Sequence, residues 1–168
     1  MNPVLQTIRN RRSIRKFTNK RVNDAHLRSI LEAGRWAPSG LNNQPWRFVT
    51  IADASMRQAV SEQTKYQKVM KAAPLHIAVF LDAEQSYNRT KDVQGIGACL
   101  QNMLLTVHSL GLGAVWMGEI LNRREEVEKI LGVPKSYELM AVLAVGHPVR
   151  SSQDSDRKSL SELVFKTF

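Results

Sequence analysis

Apolar residues recur along the chain at two spacings, and their alternation outlines the secondary structure. Val4, Leu5 and Ile8 follow Asn2-Pro3 at helical spacing, which predicts a short helix with Pro3 at its first position. Leu27, Ile30 and Leu31 repeat that spacing and predict a second helix starting at Asn23 or Asp24. Turn-forming residues crowd 37–45, and 47–52 then reads as a strand. Asp53 is placed to cap a helix over 53–63. Residues 75–81 form an apolar run of strand length, and a polar excursion over 82–92 separates it from the longest helical pattern, 93–110. There Ile96, Cys99, Leu100, Met103, Leu104 and Val107 make a broad apolar stripe, and Gly111 is a fitting stop. Residues 114–117 read as a strand, and Asn122 as the cap of a helix running to about 131. Residues 139–145 make a strongly apolar strand, and a short helix at 160–164 follows the polar stretch 150–157.

Interleaved helices and strands predict an α/β or α+β domain of two or three layers. The length, 168 residues, suits one domain spanning 1–168. A chain of this size buries roughly 70% of its unfolded surface, enough for a true core. No internal repeat, low-complexity segment or interior linker divides it. No run approaches the ~20 apolar residues of a membrane span, and the basic N-terminus lacks the apolar stretch of a signal peptide. The lone Cys99 cannot form an internal disulfide, and His26, His76, His108 and His147 show no metal-ligand spacing. A reducing cytoplasm is the expected compartment.

Charge sharpens this picture. The formal net charge is +9, and residues 1–50 hold ten Lys and Arg against only Asp24 and Glu32. Such a field attracts phosphate groups, nucleic acid or an acidic partner. Neither a G-x-G-x-x-G fingerprint, a Walker A loop, HExxH nor G-x-S-x-G occurs. Any enzymatic chemistry is therefore expected from a cofactor.

Four segments remain as candidate sites. In Arg11-Arg12-Ser13-Ile14-Arg15-Lys16-Phe17, three guanidiniums and a hydroxyl lie within five residues, a donor set suited to a phosphate. If the backbone is extended there, Arg11, Ser13 and Arg15 project to one side. A solvated basic helix end accounts for the same residues equally well, and a nucleic-acid patch is a third reading. Pro38-Ser39-Gly40-Leu41-Asn42-Asn43-Gln44-Pro45-Trp46-Arg47-Phe48 sets a hydroxyl, a glycine and three amides between prolines; amides match a heterocycle edge of mixed donors and acceptors. Taken alone, it is also what a structural loop packed by Trp46 would look like. Residues 111–119 flank an apolar strand with glycines, which permit close backbone approach to a flat ring or simply make turns. Gly146-His147-Pro148, followed by Asp156-Arg157-Lys158, puts basic residues ahead of the last helix.

In this order and at these distances, the four segments resemble the nitroreductase-like family of FMN-dependent NAD(P)H oxidoreductases, from Arg9 to about Leu163. R-R-S-I-R-x-F followed by P-S-x-x-N-x-Q-P-W-x-F carries most of the specificity. The resemblance implies an α+β fold: a central, mostly antiparallel sheet flanked by helices in three α-β-α layers. It also implies an intertwined homodimer with FMN at the subunit interface. Arg11, Arg12, Ser13 and Arg15 would meet the FMN phosphate, ribityl chain or pyrimidine edge. Pro38, Ser39, Gly40 and Asn42 would line the ring from the partner subunit, with Met117 and Gly118 beside it. Arg157 and Lys158 match the C-terminal phosphate contact. One of Lys65, Lys68 or Lys71 is a further candidate near the pyrimidine, and the usual excursion over the active site is reduced to 82–92.

The implied activity is ping-pong: NADH or NADPH reduces the flavin and leaves, and a nitroaromatic, quinone or related small acceptor takes its place. No protein nucleophile and no metal is required. The same fold in other hands supports enoate-type reduction, reductive dehalogenation or flavin fragmentation. A basic nucleic-acid-binding module is the alternative of another class, and it would need a recognition element that the chain does not display.

Overall fold

A computed structural model of the protein describes residues 2–149 and 155–168. It is an α+β fold built on a four-stranded sheet, β1 (Trp46–Ile51), β2 (Leu75–Asp82), β3 (Gly113–Met117) and β4 (Tyr137–Gly146). The strands lie in the order β1-β2-β4-β3 and every neighbouring pair is antiparallel.

Among the described residues seven α-helices accompany the sheet: α1 (Pro3–Asn10), α2 (Asp24–Arg35), α3 (Ala54–Ser61), α4 (Gln67–Ala72), α5 (Arg89–Ser109), α6 (Arg124–Leu131) and α7 (Leu160–Leu163). The expected caps at the first three helices form. Asn2 Oδ1 accepts from Val4 N, Asn23 Oδ1 from His26 N and Asp53 Oδ1 from Met56 N. Each bond satisfies a backbone donor that the helix itself leaves open.

Strand alternation divides the core into two layers. From β2, Leu75, Ile77, Val79 and Leu81 turn to one face, where Ile30 of α2 and the stripe Ile96, Leu100 and Met103 of α5 cover them. Ala78 and Phe80 turn to the other face, under Val60 of α3, Met70 of α4 and Val127 of α6. β2 is buried along its whole length because both faces are roofed. The expected three-layer arrangement follows.

Several boundaries differ from the sequence reading, each for a local reason. α5 starts at Arg89, four residues before the expected Val93, because Asn88 caps it by accepting from Lys91 N. α4 lacks a readable pattern in the sequence: it is six residues long, three of them polar. Asn122 caps nothing. It sits inside a 3-10 turn over Glu119–Arg123, its amide 3.4 Å from Glu119 Oε1, and α6 begins beyond it. Of the polar stretch 150–157, residues 150–154 lie outside the described residues.

Candidate functional site

Beyond α1 the chain turns extended and is stitched to the sheet from two sides. Ser13 bridges in parallel to Ala114 of β3, and Ile14 N donates to Ala114 O at 2.9 Å. Further on, Thr18 N donates to His147 O at 2.9 Å and Val149 N to Lys16 O at 3.0 Å. β3 is an edge strand, so its outward carbonyl is available to an incoming segment. Gly113 makes the approach possible, since a β-carbon there would fall 2.7 Å from Ile14 Cγ1.

This anchoring presents the arginines to two adjoining clefts. Arg11 and Arg12 line one of about 500 Å³ with Ile14, Leu104 and His108. The same pair lines a second, of about 480 Å³, with Arg9, Gln101, Ser155 and Arg157. Four guanidiniums and, among the described residues, no carboxylate form that second wall. Burial first, then the charges of Arg157 and Arg12, push the Arg11 pKa down. Burial, then Arg11 and Arg12, push His108 down as well. Charges of one sign gathered in a half-buried cleft repel until an anion enters, and forked guanidiniums match a phosphate. The donor set therefore fits the phosphate end of FMN. Arg12 also donates to the carbonyls of Arg9 and Arg11, and Arg157 to Ser155 Oγ and Asp156 O. Lys158 is exposed beside Arg157.

Arg15 does not share those clefts with Arg11. It lines a third, about 180 Å³, with Tyr66, Val115, Trp116, Met117, Gly118 and Glu119. The Glu119 carboxylate accepts from the Thr64 hydroxyl and, at 3.2 Å, from Lys65 N. The Thr64 bond is the main cause that holds Glu119 below the usual carboxylate range. The 64–66 turn is thereby tied to the end of β3. Lys65 Nζ lies 5.3 Å from the Tyr66 ring centroid. Lys71 instead faces Glu62, at 3.3 Å, and Lys68 is exposed on α4.

Pro38, Ser39 and Gly40 line a separate cleft of about 320 Å³ with Tyr87, Lys91 and Gln94. The loop is unusual: Leu41, Asn42 and Gln44 all have positive φ, at 54°, 54° and 46°. Asn43 Nδ2 donates to Gln85 O at 2.9 Å and to Asp92 Oδ1 at 2.8 Å. Asn42 is exposed. The chain thus displays the singled-out residues in separate groups: Arg11, Arg12 and Arg157; Arg15, Met117 and Gly118; and the 38–40 loop. Ser13, between Arg12 and Arg15 in the chain, bridges to Ala114, which lines the Arg11–Arg12 cleft. Tyr66, Glu119, Tyr87 and Asp92 carry no sequence signal of their own, because their roles come from partners distant in the chain.

The fold and these clefts define a flavoprotein-type α+β enzyme scaffold. The profile of the nitroreductase family matches residues 8–62 and 51–147, and the chain belongs to that family. A Methanothermobacter thermautotrophicus protein with the provisional name NADH dehydrogenase/NAD(P)H nitroreductase is 32% identical over 155 residues, 91% of this chain and 81% of its own. An NADPH-flavin oxidoreductase from Vibrio harveyi is 29% identical, over 94% of this chain and 70% of its own. The crystal structure of a provisionally named nitroreductase from Desulfovibrio desulfuricans, in complex with FMN, superposes with a TM-score of 0.94. It is 47% identical and the match covers 99% of this chain and 98% of that one.

Proposed function

We propose that this protein is an FMN-dependent oxidoreductase that uses NADH or NADPH to reduce nitroaromatics, quinones or related small acceptors by a ping-pong scheme. The observation that carries the reading is the convergence of Arg11, Arg12 and Arg157, from opposite ends of the chain, on one cleft without a lining carboxylate among the described residues. Membership of the nitroreductase family and the FMN complex of a 47% identical relative support the same cofactor.

FMN, when bound, supplies the two-electron chemistry between the nicotinamide and the acceptor. The chain's own residues bind and orient it. Arg11, Arg12, Ser13 and Arg157 hold the phosphate, with Lys158 at the rim. Arg15 and Lys65 bring positive charge to the cleft beside Met117 and Gly118, a preorganised field of the kind that favours added negative charge on a bound ring. Of the three lysine candidates, Lys65 is favoured: it adjoins Tyr66 of that cleft, while Lys71 is engaged with Glu62.

Pro38, Ser39, Gly40 and Asn42 serve the flavin of a partner subunit in this reading. Exposed apolar residues at both ends of the chain support a homodimer: Val4, Leu5 and Ile8 of α1, and Leu160, Leu163, Phe165 and Phe168. Surfaces of that character normally mark an interface. Residues 1–168 act as one domain, supported by two apolar clusters that share a sheet. A cytoplasmic location accords with the lone buried thiol of Cys99.

The test is direct. Purified protein is expected to be yellow, or to become so on addition of FMN, and to oxidise NADH or NADPH when a quinone or nitroaromatic is supplied. Joint replacement of Arg11 and Arg15 by Ala is expected to cut FMN affinity strongly while the apo-protein stays folded. Protein that is colourless and takes up no FMN would overturn the proposal.

A further inference from the structure

We infer that Asp92 is a positioning residue that holds the 39–44 loop in its flavin-facing shape, and that the short 83–92 segment buttresses this loop instead of forming a lid. The inference rests on the functional reading above, which assigns the loop to the flavin wall.

Three consecutive observations lead to it. The loop is strained. Leu41, Asn42 and Gln44 all occupy the left-handed region, which side chains other than glycine rarely adopt. Such conformations persist only where the surroundings over-determine them. Inside the loop, the Gln44 N–H donates to Ser39 Oγ at 3.1 Å and the Gln44 amide to Asn42 O at 3.2 Å. These bonds link loop to loop and do not fix it to the body of the protein.

Arg47 of β1 donates to Gln44 O at 3.1 Å, and the attachment to the 83–92 segment runs through Asn43 and Asp92. Asp92 lies in the first turn of α5 and is 1% exposed. One carboxylate oxygen accepts from Asn43 Nδ2 at 2.8 Å. The other accepts from Ser86 Oγ at 2.7 Å and from the backbone N–H groups of Tyr87 and Asn88 at 3.1 and 3.2 Å. Burial by itself would raise the Asp92 pKa, and these hydrogen bonds outweigh it and hold the group below the usual carboxylate range. A single buried anion carried on α5 therefore gathers donors from the loop and from the 86–88 turn. Asn43 extends the tie by donating to Gln85 O.

The third observation is steric. The Tyr87 hydroxyl fills the space that a β-carbon on Gly40 would need, so the two segments are in direct contact at Gly40. Gly95 of α5 likewise faces the Pro38 carbonyl, 3.4 Å from the place of its absent β-carbon. The 83–92 segment lies against the loop at both of its ends. Tyr87 and Lys91 also line the cleft that Pro38, Ser39 and Gly40 form.

Two variants test the role. Asn43→Ala removes both bonds that the Asn43 amide makes to the 83–92 segment and leaves the other three bonds to Asp92 in place. Asp92→Asn sets an amide donor against a ring of donors, and is expected to act more strongly. In both, hydrogen exchange of the Asn42, Asn43 and Gln44 amides of the apo-protein should rise at least tenfold, with β2 and β4 amides unchanged. FMN affinity should fall at least tenfold, and the visible circular dichroism of the bound flavin should change. Asn43→Ala is the control if Asp92→Asn fails to fold. Wild-type protein that binds FMN, with unchanged affinity and unchanged loop exchange in Asn43→Ala, would overturn this inference alone. Wild-type protein that binds no FMN overturns the functional reading and this inference with it.

Discussion

Ile14 lies directly on the bare α-carbon of Gly113: an ideal β-carbon at that glycine falls 2.7 Å from Ile14 Cγ1 and 2.8 Å from Ile14 Cβ. Ile14 Cβ is bound to the backbone and cannot rotate away, so Gly113→Ala must shift the 11–15 segment from the edge of β3. Overpacking of this kind costs about 1–3 kcal/mol. The expected result is a lower melting temperature and, because the shifted segment carries Arg11 and Arg15, a weaker grip on FMN. Thermal unfolding with and without FMN measures both effects.

Arg157 reaches the cleft of Arg11 and Arg12 from the far end of the chain. A hydrogen bond to a charged group contributes about 1.5–3 kcal/mol, so Arg157→Ala should weaken FMN binding by roughly tenfold to a hundredfold. The melting temperature of the apo-protein should hardly change, because one of several mutually repelling cations is gone. Fluorescence titration of FMN, paired with calorimetry of the apo form, separates the two effects. Riboflavin, which lacks the phosphate, should bind wild type and variant alike.

His76 is wholly buried in β2 and bonds to the Met70 carbonyl through Nε2 at 2.8 Å. Its other ring nitrogen, Nδ1, has no hydrogen-bond partner. Burial, opposed in part by the Met70 bond and reinforced by the Arg57 charge, lowers its pKa from 6.5 to about 4. The unfolded chain then takes up a proton first as pH falls. The stabilising contribution is complete above pH 6.5 and is lost progressively toward pH 4, up to about 3 kcal/mol. Urea denaturation across that range should show the slope. His76→Gln, which keeps a donor for Met70, should flatten it.

Cys99 is buried in α5, and burial pushes its thiol up to about 12. Thiolate is the reactive form. A disulfide reagent such as DTNB at pH 8 should therefore leave native protein unmodified over hours and titrate one thiol once urea unfolds it. Fast labelling of the native state would show that α5 opens locally.

The legible parts of the chain were those decided by neighbours in sequence. Caps at Asn2, Asn23 and Asp53 bond to N–H groups two or three residues on, and Gly111 takes the positive φ, 72°, that ends α5. The buried runs of β2 and β4 show directly as apolar stretches. The start of α5 was hidden because its first turn, Arg89 to Asp92, is polar and reads like the excursion before it. Asn122 looked like a cap, but the 3-10 turn after β3 consumed it. For the candidate site, Arg11, Arg12 and Arg15 stand out by density, yet Arg11 and Arg15, expected on a shared side, line different clefts.

By itself, then, the amino-acid order determined the helices with local caps, the apolar strands and the two motifs that mark the family. These depend on bonds that span a few residues and on residue type alone. The tertiary structure decided which charges meet and which loops are held. Arg157 joins Arg11 only because the chain's two ends converge on one side of α5. Asn43 finds Asp92 across 49 residues, through a carboxylate whose burial no periodicity reveals. Electrostatic repulsion and buried hydrogen bonds act through space, and the distances that set them exist only in the folded chain.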